Sequence, residues 1–258
     1  MKDDPGPRRR TVTESARLLW RVYKVEVPQP LYCLLFLFPL VATYEFGTLL
    51  LRPVAWPERQ LVAQSLVQKL LSWFGAGGMW LPGVALLLTL LIWHILARHS
   101  WRVRIWMLPL MALESIVLTM PLFVLGQVMA LQAGQGSADS ALALRGQVVL
   151  ALGAGIYEEL VFRLYLIAGL SRLLESGLRV ARRVSVPLVV ALSAGLFALC
   201  HFAPIGSATF DGRHFVQLVL AGVYLAIVFL WRGLGIAAGC HAAFNLTLVW
   251  LALGARAA

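Results

Sequence analysis

Apolar residues run along this chain in long blocks separated by short polar stretches. The blocks at about 31–51, 80–97, 105–131, 147–170, 186–203, 215–231 and 234–253 each approach the roughly 20 apolar residues that cross a bilayer core. They predict an all-α, polytopic membrane protein with seven transmembrane helices. The segment 58–74 (ERQLVAQSLVQKLLSWF) places its apolar residues on one helical face. It predicts a surface helix, with a short eighth membrane segment as the alternative. Residues 13–26 predict a short helix lying on the membrane with its basic side toward headgroups, or else a solvated basic tail. Neither repeat nor linker interrupts the pattern. The expected organisation is therefore a basic N-terminal tail or interfacial helix over 1–30 and one transmembrane domain over 31–258.

Composition agrees with this pattern. The 258 residues are 60% hydrophobic and only 13% charged, about half the charged share of a soluble domain. The net charge of +10 would point to nucleic acid in a soluble protein. Here the basic residues sit between the apolar blocks, where they set membrane orientation, and no basic face with interleaved aromatics suggests a nucleic-acid partner. With the N-terminus inside, the inner loops and tail hold fifteen of the 22 basic residues, the outer side holds six, and Arg163 lies within a span. That asymmetry predicts a cytoplasmic N-terminus, an outer C-terminus and residence in the cell's inner membrane. The first 30 residues carry no short apolar core with a small-residue cleavage site, so no cleavable signal peptide is expected. Cys33, Cys200 and Cys240 all fall in apolar segments, form no CxxC pair, and read as small packing residues.

Ionisable residues inside spans are costly and usually functional. The densest set is Glu158, Glu159 and Arg163 in GIYEELVFRLYL, followed by His201 in LFALCHFAP and by His241 with Asn245 in GCHAAFNLTL. Residues four apart share a helix face, whereas neighbours point about 100° apart. Glu159 and Arg163 are thus expected to form a structural ion pair, which leaves Glu158 on another face. Phe197 and His201 share a face, as do His241 and Asn245. One carboxylate, two imidazoles and one amide then converge from three helices. Such a set suits amide hydrolysis by activated water. Glu158 acts as general base, His201 shares and steers the water, and His241 with Asn245 donates to the oxyanion, at about 3–4 kcal/mol per donor. Helical rise places all four groups near the middle of a hydrocarbon core about 30 Å thick. A bridging water would set the Glu158 carboxylate and the His201 ring about 5–6 Å apart.

These residues resemble the motifs of the CAAX-protease and bacteriocin-processing family, also called CPBP or Abi. Its EExxxR, FxxxH and HxxxN motifs read here as Glu158-Glu159-x-x-x-Arg163, Phe197-x-x-x-His201 and His241-x-x-x-Asn245, complete and in order over 158–245. The resemblance implies an intramembrane glutamic endopeptidase in which Glu158 and His201 activate water and His241 and Asn245 stabilise the oxyanion. It implies neither metal nor other cofactor. Its expected partners are membrane lipids and a membrane-associated protein or peptide substrate: a prenylated C-terminal tail, a pheromone or bacteriocin precursor, or a sorting tail.

Two rival readings accompany this one. A zinc peptidase has two His and a Glu available but lacks an HExxH motif. A non-catalytic scaffold or immunity-type protein has no need to retain Glu158. Of the remaining polar residues, Glu45 and Glu114 lie in predicted spans and are expected to pair with Arg163 or line the cavity. His94 and His99 read as interfacial. The tryptophans mostly mark span ends as an aromatic belt. Gly235-x-x-x-Gly239 reads as a close-packing face. The loop Phe202–Ser207, with its Pro and Gly, is expected to line the mouth of the cavity.

Overall fold

The computed structural model describes residues 12–55, 62–73, 75, 78, 80–130, 141–202 and 211–257. The described residues are helical, without strands. In chain order the helices are α1 (Val12–Glu26), α2 (Pro30–Ala55), α3 (Val62–Trp73), α4 (Leu81–Leu96), α5 (Met107–Leu118), α6 (Met120–Ala130), α7 (Ala141–Glu159), α8 (Ala168–Arg172), α9 (Arg182–Cys200), α10 (Gly212–Arg232) and α11 (Leu234–Ala257). A π-helical stretch, Leu160–Ile167, carries α7 into α8, and a second one, Leu173–Gly177, follows.

Five stretches are long and apolar enough to cross a membrane: Pro30–Leu51, Met107–Gly126, Arg182–Cys200, Gly212–Arg232 and Leu234–Leu251. The shorter Leu81–Leu96 is also apolar. The expected spans 80–97 and 147–170 are both helical, but the first is a short helix. The second includes Glu158, Glu159 and Arg163, whose charges lower its apolar character. The block 105–131 divides at Thr119, between α5 and α6. Large apolar side chains point outward along the bundle, among them Leu88 and Ile92 on α4, Leu113 and Ile116 on α5, and Leu188 and Leu192 on α9. In water such a surface would be untenable. In lipid it is the solvated face, and the chain is an integral membrane protein.

Helices close on one another at small residues. A Cβ on Gly155 would stand 2.5 Å from the Ala242 backbone nitrogen, so α7 and α11 meet backbone to backbone. The Gly235–Gly239 face packs as expected: a Cβ there would meet Met111 at 3.0 Å and Ser115 at 2.5 Å respectively, which brings α11 onto α5. Gly222 lies against Ala194 in the same way and joins α10 to α9. Gly233, at φ +86°, is the single residue between α10 and α11, a left-handed turn that favours glycine.

At one end of the bundle α1 forms over almost the expected residues. Tyr23 and Val27 are buried in the bundle, while Arg17, Arg21 and Lys24 form an exposed stripe beside Leu18, Trp20 and Val25. Tyr23 donates to Glu114 Oε2 at 2.7 Å, and Arg232 grips the same carboxylate at 2.5 and 2.8 Å. Burial and this carboxylate push the Tyr23 phenol above its ordinary pKa. Glu114 therefore does not pair with Arg163, as one expectation had it. Arg232, the last residue of α10, reaches it instead, and the two neutralise one another. Glu45 also takes a different partner, the Tyr157 hydroxyl. His94, in the last turn of α4, is fully buried, its ring edge-on to Trp101 at 4.6 Å. The tryptophans outside the bundle core, such as Trp20, Trp73, Trp101, Trp231 and Trp250, are exposed near helix ends.

Candidate active site

Three helices deliver the site. α7 ends at Glu158 and Glu159, α9 ends at Cys200 with His201 as its cap, and α11 presents His241 two turns after Gly233. The spacing argument holds for the first two motifs. Glu159 Oε2 lies 3.1 Å from Arg163 Nε, and both side chains are fully buried. This is an ion-pair contact off the line of a hydrogen bond, since neither atom finds a bonded partner among the described residues. Arg163 is held further by Nη2 donating to the Gly222 carbonyl at 3.2 Å and by its guanidinium over the Phe197 ring at 4.6 Å.

Glu158 points elsewhere, as its 100° offset requires. Its Oε2 stands 3.8 Å from His201 Nε2 and 3.8 Å from His241 Nε2. Both rings reach it with the same nitrogen because their other nitrogens are engaged. His201 Nδ1 lies 2.8 Å from the Phe197 carbonyl, and His241 Nδ1 lies 2.9 Å from Glu159 Oε1. A carbonyl and a carboxylate only accept, so each Nδ1 carries the proton. In their neutral forms both Nε2 atoms are then acceptors, and they surround a carboxylate oxygen that is buried and has no donor among the described residues. The 3.8 Å separations are shorter than the expected 5–6 Å. The groups therefore stand closer together than a water bridging them in line would leave them.

Phe197 is the shared wall. Its ring centre is 4.7 Å from that of His201 and 5.9 Å from that of His241, with Phe162 edge-on at 5.6 Å. The π-helical stretch that carries Phe162 and Arg163 is pinned to α9 by Ser193, whose hydroxyl donates to the Phe162 carbonyl at 2.8 Å. Such stretches are frequent at functional sites. Asn245 stands apart from this group. Its amide reaches the Ala151 carbonyl on α7 at 3.5 Å, one helical turn beyond His241. Of the loop expected at the mouth, 203–207 lies outside the described residues.

The structure thus brings Glu158, Glu159, Arg163, Phe197, His201 and His241 together, with Asn245 one turn along α11. His201 is the exposed member of the group and His241 is buried. Tyr157, immediately before the paired glutamates, was not among the sequence candidates. Its signal was a phenol beside two carboxylates inside an apolar block. Among the described residues no group of three or more His, Cys, Asp or Glu is placed to hold a metal ion.

Residues 140–247 match the family model described as type II CAAX prenyl endopeptidase, Rce1-like. The match takes in α7, α9, α10 and α11 as far as Asn245, all three motifs included, and shows over this stretch the family that the motifs resemble. No curated protein and no solved structure matches the chain.

Proposed function

We propose that this protein, with its Rce1-like endopeptidase domain over 140–247, is an intramembrane glutamic endopeptidase that cleaves a membrane-associated protein or peptide tail. The observation that supports it most is the convergence of His201 Nε2 and His241 Nε2 on Glu158 Oε2 at 3.8 Å each. Glu158 Oε2 and His201 Nε2 are acceptors facing one point and call for a donor of two hydrogens that retains a lone pair, and water is such a molecule.

In this reading Glu158 accepts a proton from the water while His201, fixed through Phe197, holds its other hydrogen. The freed lone pair attacks the scissile carbonyl carbon. The oxyanion that forms is met by His241, doubly protonated and steadied through Nδ1 by Glu159, and by the Asn245 amide, whose 3.5 Å contact with Ala151 is long enough to yield. Each such donor contributes about 3–4 kcal/mol. Glu158 then gives its proton to the departing amine. Glu159, Arg163 and Phe197 hold the frame. In this reading Leu81–Leu96 and the α7 segment also cross the membrane, beside the five stretches long and apolar enough to do so, which gives seven spans.

Glu158→Gln decides the reading. Purified, monodisperse Glu158→Gln protein should lose cleavage while melting within about 2 °C of the parent, because the amide keeps the shape and removes only the base. Cleavage by that variant at the parent rate would refute Glu158 as the base, whereas a folded parent that cleaves nothing would leave the scaffold reading in its place.

A further inference from the structure

Glu45 is a buried carboxylate that the proposed chemistry does not use. It lies on α2, 6% exposed, and its Oε1 accepts from the Tyr157 hydroxyl. Its Oε2 is buried without a partner among the described residues. The first turn of α4 makes room for it: a Cβ on Gly83 would stand 2.6 Å from Glu45 Oε1 and 3.2 Å from the Tyr157 hydroxyl oxygen. Next to it Tyr44 packs edge-on to Tyr157 at 5.3 Å and donates to Gln64 of α3 at 2.5 Å. Three helices, α2, α4 and α7, therefore meet at the residue that precedes Glu158, and α3 joins them through Tyr44.

Burying a half-satisfied carboxyl group is expensive, and apolar packing would serve stability better. Its location shows what it secures. On the opposite flank, α7 meets α11 at the close approach of Gly155, at the Asn245–Ala151 contact and through His241 on Glu159, and Glu45 with Tyr157 holds the other side. One residue past Glu159 the helix widens into the π-helical stretch, where the regular hydrogen-bond ladder no longer sets rotation. Tyr157 is a lever on the last regular turn, and Glu45 holds its end.

We propose that Glu45 is a positioning residue for Glu158, acting through Tyr157 to fix the rotation of α7 about its axis. The inference rests on the proposed role of Glu158. The Glu158 carboxylate lies roughly 6 Å from the helix axis, so a turn of about 10° moves it about 1 Å. A shift of that size costs on the order of a hundredfold in rate.

The test uses the full-length protein in detergent or lipid and compares the parent with Tyr157→Phe, Glu45→Ala, Glu45→Gln and Gly83→Ala. Tyr157→Phe and Glu45→Ala should lower kcat roughly ten- to a hundredfold, with KM within about twofold, in protein that remains folded at the assay temperature. Glu45→Gln still accepts from Tyr157 and should retain most of kcat. Gly83→Ala touches neither partner's chemistry but displaces the carboxyl group, and should reproduce the loss. A structure of Tyr157→Phe should show the Glu158–His201 separation changed from 3.8 Å by about 1 Å. Parent-like kcat in the folded Tyr157→Phe and Gly83→Ala proteins overturns the inference, as does a loss that only follows the melted fraction. A parent that does not cleave overturns the proposed function instead, and the Tyr157→Phe structure then decides the positioning role by itself: an unmoved Glu158 refutes it.

Discussion

Removing the Arg163 guanidinium is the perturbation whose cost the structure defines best. Arg163 and Glu159 are both fully buried and 3.1 Å apart. At an effective dielectric of about 20 their attraction is about 5 kcal/mol. The same guanidinium bonds the Gly222 carbonyl and covers the Phe197 ring. Arg163→Ala leaves Glu159 buried with only His241 to answer its charge, and breaking such a pair typically costs about 3–5 kcal/mol. At roughly 2–4 °C per kcal/mol for a domain of this size, the melting temperature should fall by about 6–20 °C. Glu159→Gln combined with Arg163→Met removes both charges at similar volume and should recover most of that loss. The assay is thermal melting of detergent-purified protein at matched lipid content. Arg163→Ala protein that melts within about 2 °C of the parent would refute the claim that this pair is a buried, mutually dependent element.

Gly155→Ala should separate α7 from α11, since its Cβ would stand 2.5 Å from backbone; we expect about 1–3 kcal/mol of destabilisation, read by melting, together with lost cleavage. Neutralising Arg17, Arg21 and Lys24 on α1 should weaken retention of anionic lipid by about 1 kcal/mol per charge, read by lipid analysis after matched washing, with melting unchanged. Exhaustive treatment with a zinc chelator should leave cleavage intact; a loss restored only by zinc would move the chemistry to a metallopeptidase.

The sequence made the local geometry of the site legible and left the long-range partners out of reach. Four-residue spacing is enough to pair Glu159 with Arg163 and to free Glu158, because that relation lies within one helical turn. The same rule grouped Asn245 with His241, yet a shared face still places the two one turn apart, and Asn245 faces Ala151 instead. Glu45 and Glu114 are both apolar-block carboxylates in the sequence. What separates them is which distant side chain reaches them, Tyr157 of α7 for one and Arg232 at the end of α10 for the other, and no local pattern encodes that. The place of His94 near a block end is legible, whereas the cover that Trp101 gives its ring depends on how the chain turns after α4. The π-helical stretch has no compositional mark beyond Arg163, since its other residues are ordinary span residues.

The single-residue turn at Gly233 ties the lengthwise position of α11 to that of α10, whose last residue, Arg232, is anchored on Glu114. α11 has 24 residues, about 36 Å of helix against a hydrocarbon core about 30 Å thick. Its surplus lies at the far end, beyond Asn245. When the protein moves between bilayers of different thickness, the mismatch is taken up there by tilting or by exposure of the last turns. The distance from the anchored turn to His241 does not change, so His241 keeps its depth relative to that turn whatever the thickness of the surrounding membrane.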